Sequence, residues 1–295
     1  MDIPQKSFEN GFTVPVYGLG TWEMGGVMAA SHDNDAAHID AIRRAIDSGV
    51  THVDTAKMYG DGHCEELVGA AIKPYHREKL FIATKLTPEH QGYDDVKTEF
   101  EGSLDRLGTS YIDLYMLHRY PKPGVSVPET LRALNELVDD GKIKYIGACN
   151  FTVEMLEEAR RYSKHPIVCN QVHYSLACRE IVDKGVLEYC QAHSIAVIAW
   201  GPLELGKLER YDMLERIAAQ YQKTPYQVAL NWLVAQKNVA TVCKTENPLH
   251  IEENLGALGW SLSDESMADL TNNFPDQFKV SDRVPLDYPS AVGEA

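Results

Sequence analysis

The sequence predicts an α/β protein folded as a single (β/α)8 TIM barrel, with an N-terminal β-hairpin cap and a loop-like C-terminal tail. Three observations lead there. Eight short apolar runs rich in β-branched and aliphatic residues recur along the chain, with helically patterned segments between them. Unbroken apolar runs of this kind are what parallel strands buried on both faces require. Several of them also end on a polar or ionisable residue, as strands do where they open onto a barrel mouth.

In chain order, Ser7 to Val16 carries Asn10-Gly11 between short apolar segments, a hairpin signal. Val16 to Gly20 is the first barrel strand, and Thr21-Trp22 lead into a Gly/Ala-rich loop. Helical spacing over Ala36 to Ile46 stops near Ser48-Gly49, and the next strand runs from Thr51 to Asp54. A helix over Glu65 to Ile72, a strand ending at Lys85, a helix over Asp94 to Leu107, a strand ending at His118 and a helix over Pro128 to Asp139 continue the alternation. The second half repeats it, with strands ending at Asn150, Gln171, Trp200 and Lys244. A doubly wound sheet is the rival architecture, but no Gly-x-Gly-x-x-Gly follows a strand. No domain boundary interrupts residues 1–295, and the segment after Asn273 reads as a loop.

Composition narrows the partners. A net charge of −15 without a Lys/Arg cluster argues against nucleic acid or an anionic membrane, so an anionic cofactor would need local donors. Cys64, Cys149, Cys169, Cys178, Cys190 and Cys243 lie without metal-type spacing, mostly in apolar runs, as reduced buried thiols do. No metal set is read from the chain. No apolar run reaches membrane-span length, and Met1 is followed by Asp2 and polar residues rather than a signal sequence, which points to the cytoplasm.

The chemistry concentrates at strand ends. Asp54 closes one strand and Tyr59 follows a short loop later, while Lys85 and His118 close the next two. A carboxylate, a phenol, an ammonium and an imidazole would thus converge on one mouth. Asp54 to Gly60, with Gly62 and Glu65, resembles the first signature of the aldo-keto reductases. Ser103 to Tyr115 resembles the second, and Lys244-Thr245 with Glu253-Asn254 the third. Gly18 to Trp22 and Gln171 to Tyr174 agree as well, so the resemblance spans about Phe12 to Asn273.

The resemblance implies a catalytic tetrad of Asp54, Tyr59, Lys85 and His118 that reduces an aldehyde or ketone with a nicotinamide cofactor. In it Tyr59 is the proton donor, Lys85 lowers its pKa, Asp54 fixes the ammonium and His118 orients the substrate oxygen. It further implies Gly20, Thr21 and Trp22 at the cofactor, Asn150 and Gln171 on the nicotinamide carboxamide, and Trp200 stacked on its ring. Pro202, Leu203 and Gly206 would form the pyrophosphate loop, Lys244, Thr245 and His250 would face the adenosine phosphate, and Glu253 and Asn254 the adenine. On their own, Glu253 and Asn254 read as a solvated helix face. Cys149 stands where the family usually has Ser, and His250 where it has Arg; NADPH is the expected cofactor, with NADH possible. Trp22, Tyr59, His118 and Tyr120 suggest an aromatic substrate pocket, with Phe274 and Phe278 from the tail either lid residues or packing. Two other readings remain, a nucleotide-sensing regulatory subunit of the same fold and a lyase using Lys85 as a Schiff base.

Overall fold

The computed structural model describes residues 2–287. Strands β1 (Gln5–Ser7) and β2 (Thr13–Pro15) form the antiparallel hairpin, with Gln5 opposite Pro15. Its connection, residues 8–12, is wider than a two-residue turn, and the Asn10 side chain accepts from Phe12 N at 3.0 Å. Phe12 is fully buried and meets Phe8, Phe81 and Tyr145 with ring centroids 5.7, 6.1 and 4.9 Å away. Phe81 opens one barrel strand and Tyr145 lies early in another, so the hairpin plugs the end where the strands begin.

The barrel is closed and wholly parallel. Its strands are β3 (Tyr17–Gly20), β4 (His52–Asp54), β5 (Phe81–Leu86), β6 (Ile112–Leu117), β7 (Ile143–Cys149), β8 (Ile167–His173), β9 (Ala196–Trp200) and β10 (Val239–Lys244), with β10 pairing back onto β3. All eight strands read from the sequence are present. Thr241 opposite Tyr17 and Lys244 opposite Gly20 set the closing register. Inside the barrel, Ala83, Leu114, Met116, Val168, Ile198 and Ala240 pack with Phe12 and Val14 as one apolar cluster.

Helices α1 (Asp35–Asp47), α2 (His63–Ile72), α3 (Tyr93–Leu107), α4 (Val127–Asp139) and α5 (Val153–Tyr162) each follow one strand. The later connections are doubled: α6 (Glu180–Asp183) and α7 (Val186–Ala192) follow β8, and α8 (Asp212–Tyr221) and α9 (Pro225–Ala235) follow β9. The last pair, α10 (Pro248–Leu255) and α11 (Asp264–Asn273), completes the ring. Local chemistry sets the ends. In α9, Thr224 accepts from Gln227 N while Gln227 answers through Thr224 N, and Pro225 supplies a first-turn φ. Among the described residues no helix is long and apolar enough to cross a membrane.

After α11 the chain is irregular, yet it is tied to the barrel. Ser281 N and Leu286 N donate to the two carboxylate oxygens of the buried Glu180 at 2.8 and 2.9 Å. Phe274 is buried against Tyr211, 4.8 Å between centroids, which makes it packing rather than a lid.

Candidate active site

The mouth is assembled from strand ends and the turns that follow them. Asp54 closes β4 and Lys85 lies in β5, one strand over, where the parallel register sets Asp54 opposite Ala83, so both side chains meet without a detour of the backbone. Lys85 is fully buried. Its Nζ donates to Asp54 Oδ1 at 2.6 Å, to the Thr55 carbonyl at 2.8 Å and to Tyr59 Oη at 3.2 Å. Gln171 Nε2, from β8 across the barrel, donates to the other Asp54 oxygen at 2.7 Å. Thr21 N and Oγ1 both donate to the Asp54 carbonyl, at 3.0 and 2.9 Å, which pins β3 to the same strand end.

Tyr59 sits on a tight turn whose next residue, Gly60, has φ +56; a Cβ there would lie 2.3 Å from the Gly25 carbonyl oxygen, so only glycine permits this approach. The Tyr59 ring is held edge-on by Trp22, 4.8 Å away, and faces the His118 ring at 5.8 Å.

Electrostatics follow from burial. Desolvation pushes the Tyr59 hydroxyl up to about 12, with the Lys85 charge pulling against it and Asp54 adding to the rise. Lys85 pulls the Tyr59 pKa down, as the sequence reading expects, but it offsets only part of the desolvation, and the net shift is upward. Burial likewise opposes the Lys85 ammonium, but the Asp54 carboxylate, by its charge and its hydrogen bond, outweighs it and holds Lys85 above its ordinary value. Burial, followed by the Lys85 charge, drives the His118 pKa well below the usual imidazole value. Its Nδ1 is buried without a hydrogen-bond partner among the described residues.

Asn150, Trp200 and Lys244 stand at the C-terminal ends of three further parallel strands, β7, β9 and β10, on the same mouth as Asp54 and Lys85. Asn150, in the left-handed region at φ 59, directly follows β7; its Oδ1 accepts from Trp200 Nε1 at 3.1 Å. His173 stacks on Trp200, 4.4 Å between centroids and 11° between planes, which leaves the half-buried indole one face to offer a planar ring. Cys149 points into the apolar interior, its Sγ 3.8 Å from Met116 Sδ. Pro202 is buried, Leu203 half-buried, and the loop they open runs through Glu204, Leu205 and Gly206 at φ 49, 57 and 80. Leucine in that region is strained, and such strain gathers at ligand clamps. What holds it is Glu204, which accepts from His173 at 2.9 Å and Ser175 at 2.6 Å and lies 3.4 Å from Arg283 of the tail. Phe278 adds its ring 5.9 Å from His173. This support was missed in the sequence.

At the third signature, Gly20 pairs with Lys244, and Thr245 Oγ1 lies 3.5 Å from His250 Nδ1. Lys244 Nζ is taken by Glu246 at 2.6 Å, and Glu246 also lies 3.5 Å from the buried His38. Glu253 is half-buried. Asn254 is 4% exposed and donates to Tyr17 Oη at 3.2 Å, so the solvated-face reading of that residue is corrected. Tyr120 packs on Phe151 at 5.3 Å and bonds Glu158.

A closed parallel barrel with a buried ammonium wedged between a carboxylate and a phenol at its mouth defines a class: barrel enzymes that move a proton at a strand-end site. The model of the aldo/keto reductase family matches residues 17–273, and this chain belongs to that family. It is 35% identical to the glyoxal reductase of Bacillus subtilis over 260 residues, covering 88% of each chain. Among solved structures it superposes on the thermostable aldo-keto reductase Tm1743, bound to the inhibitor epalrestat, with a TM-score of 0.88 and 40% identity over 91% of this chain and 99% of that one. An aldo/keto reductase of Klebsiella pneumoniae in complex with NADP and acetate gives a TM-score of 0.82 at 32% identity, covering 95% and 98%. The chain is thus an oxidoreductase that reduces an aldehyde or ketone with a nicotinamide cofactor. The regulatory-subunit and lyase readings find no support among these relatives.

Proposed function

We propose that this chain reduces small aldehydes, α-oxoaldehydes such as glyoxal among them, with Tyr59 as the general acid and NADPH as the preferred cofactor. The observation that carries the reading is Lys85, a fully buried ammonium whose Nζ is shared by Asp54 Oδ1 at 2.6 Å and Tyr59 Oη at 3.2 Å. When bound, the cofactor supplies the hydride, which no side chain can. The residues on the mouth fit it: Trp200 offers an indole face, Asn150 and Gln171 carry amides, and the strained loop from Pro202 to Gly206 is held rigid by Glu204.

The protein's part is proton delivery. Tyr59 Oη donates its proton to the carbonyl oxygen as negative charge develops there, and the adjacent ammonium stabilises the phenolate left behind. Lys85 keeps its charge because Asp54 holds it, and Asp54 keeps its orientation because Gln171 and Thr21 hold it. His118, neutral, donates a hydrogen bond to the same substrate oxygen. Trp22 and His118 flank the Tyr59 ring, their ring centroids 4.8 and 5.8 Å from it, and line the site with aromatic surface. The same three bonds on Lys85 argue against Schiff-base chemistry, which needs a free neutral amine.

The cofactor preference rests on Lys244, Thr245 and His250, weakened by Glu246, whose carboxylate competes with a 2′-phosphate for Lys244. The six buried, unpaired cysteines support a reducing, cytoplasmic setting. A spectrophotometric screen of glyoxal, methylglyoxal, longer aldehydes and ketones against NADPH and NADH tests the proposal. Oxidation of NADPH with the short dicarbonyls is expected, and no cofactor oxidation with any carbonyl would overturn it.

A further inference from the structure

Outside the mouth, His32, Asp35 and His63 gather in one cluster, each offering a ligand atom within 4.8 Å of the others. Asp35 lies between the rings, its Oδ2 3.2 Å from His32 Nδ1 and its Oδ1 2.8 Å from His63 Nε2. The two imidazole centroids are 4.0 Å apart. The far nitrogen of His63, Nδ1, is 2.8 Å from Glu66 Oε2. His32 and Asp35 come from the loop after β3 and the start of α1, His63 from the first residue of α2, so no local spacing announces them.

We propose that His32, Asp35 and His63 form a binding site for a divalent transition metal of the zinc type, separate from the catalytic residues. Two imidazoles and a carboxylate are a standard donor set for such an ion, with water completing a tetrahedron. Metal–ligand bonds of about 2.0–2.2 Å put neighbouring tetrahedral donors roughly 3.3 Å apart, close to the His32–Asp35 separation. Glu66 occupies the position that orients a metal-bound imidazole: with His63 Nε2 on the ion, Nδ1–H donates to the carboxylate and fixes the ring. His63 is largely buried while His32 is exposed, so one ligand is rigid and the other is free to close over the ion from solvent.

The site joins two segments that flank the mouth. Gly60 N, next to Tyr59, donates to the Val27 carbonyl at 3.0 Å, and the loop holding Val27 runs on to His32. An ion on His32, Asp35 and His63 would cross-link this loop to α2 and to the turn carrying Tyr59. Its occupation therefore raises the thermal midpoint and protects residues 26–33 from proteolysis.

Titration with ZnCl2 by calorimetry and with CoCl2 by visible absorption tests this on the intact chain. One ion per chain with the intense visible bands of tetrahedral cobalt is expected for the wild type. His32→Ala and His63→Gln should each lose at least about tenfold in affinity, and Glu66→Gln about 10–100-fold. His90→Ala, an exposed histidine beside Glu99, should bind as the wild type does. His32 is exposed, so His32→Ala folds and keeps the test decisive. No stoichiometric ion, or equal binding by His32→Ala and His90→Ala, would overturn the proposal.

Discussion

Replacing Lys85 with Met separates what the tetrad contributes to the fold from what it contributes to chemistry. Met nearly fills the lysine's volume, so the cavity left is small. The electrostatic loss is not small. Asp54 is 3% exposed, and without the ammonium at 2.6 Å its carboxylate keeps Gln171 Nε2, at 2.7 Å, as its remaining side-chain donor. Stranding one partner of a buried pair costs about 3–5 kcal/mol, and at about 2–4 °C per kcal/mol for a chain of this size the melting midpoint should fall by on the order of 10 °C. Adding Asp54→Asn removes the stranded charge and keeps an acceptor for Gln171, so the double variant should regain most of that loss. Neither variant regains carbonyl reduction, because neither holds a cation beside Tyr59. Urea and thermal unfolding followed by tryptophan fluorescence, with turnover measured on the same samples, give both answers. Wild-type stability in Lys85→Met, or a double variant no more stable than the single, would refute the reasoning.

The remaining predictions concern cofactor choice and acid stability. His250→Arg adds a permanent charge and a bidentate fork beside Lys244 and should tighten NADPH against NADH by up to about tenfold, the gain being limited because the position is exposed. Glu246→Gln, which frees Lys244, should move the ratio the same way; unchanged dissociation constants for both variants would remove Lys244 and His250 from the phosphate site. His52 is wholly buried with neither ring nitrogen partnered among the described residues, and desolvation, with Asp54 and Asp113 opposing and Lys85 assisting, holds its pKa at about 4 against 6.5 in the unfolded chain. The unfolded state thus takes up a proton that the folded state refuses between those values, so stability falls as pH drops from 6.5 to 4, by about 3 kcal/mol from this group. His52→Phe should lack that component; parallel pH–stability curves for the two proteins would contradict it.

How far the sequence reaches depends on the range of the physics. Apolar runs, helix stops and the Asn10-Gly11 turn are local, so the eight strands, the hairpin and the convergence of Asp54, Lys85 and His118 were all legible from spacing and from the rule that strands open onto one face. Contacts set by register across the barrel were not. Gln171 reaches Asp54 from the far side, Arg283 reaches Glu204 from the tail, and His32 meets His63 from another loop. Asn254 illustrates the limit. Its polarity suggested solvent, yet its position on α10 turns it inward to Tyr17, a pairing that no periodicity within α10 encodes. The sign of the Tyr59 shift also needed structure, because it depends on how completely the phenol is buried relative to the pull of Lys85.

The central claim, that Tyr59 Oη delivers the proton, is tested most directly by Tyr59→Phe, which keeps the ring packed against Trp22 and His118 and removes only the hydroxyl. Steady-state reduction of an aldehyde, with NADPH affinity measured by fluorescence on the same protein, should show kcat/KM lowered by about 10²–10⁴-fold and cofactor binding unchanged. Turnover within tenfold of the wild type, with the cofactor bound as before, would contradict the assignment.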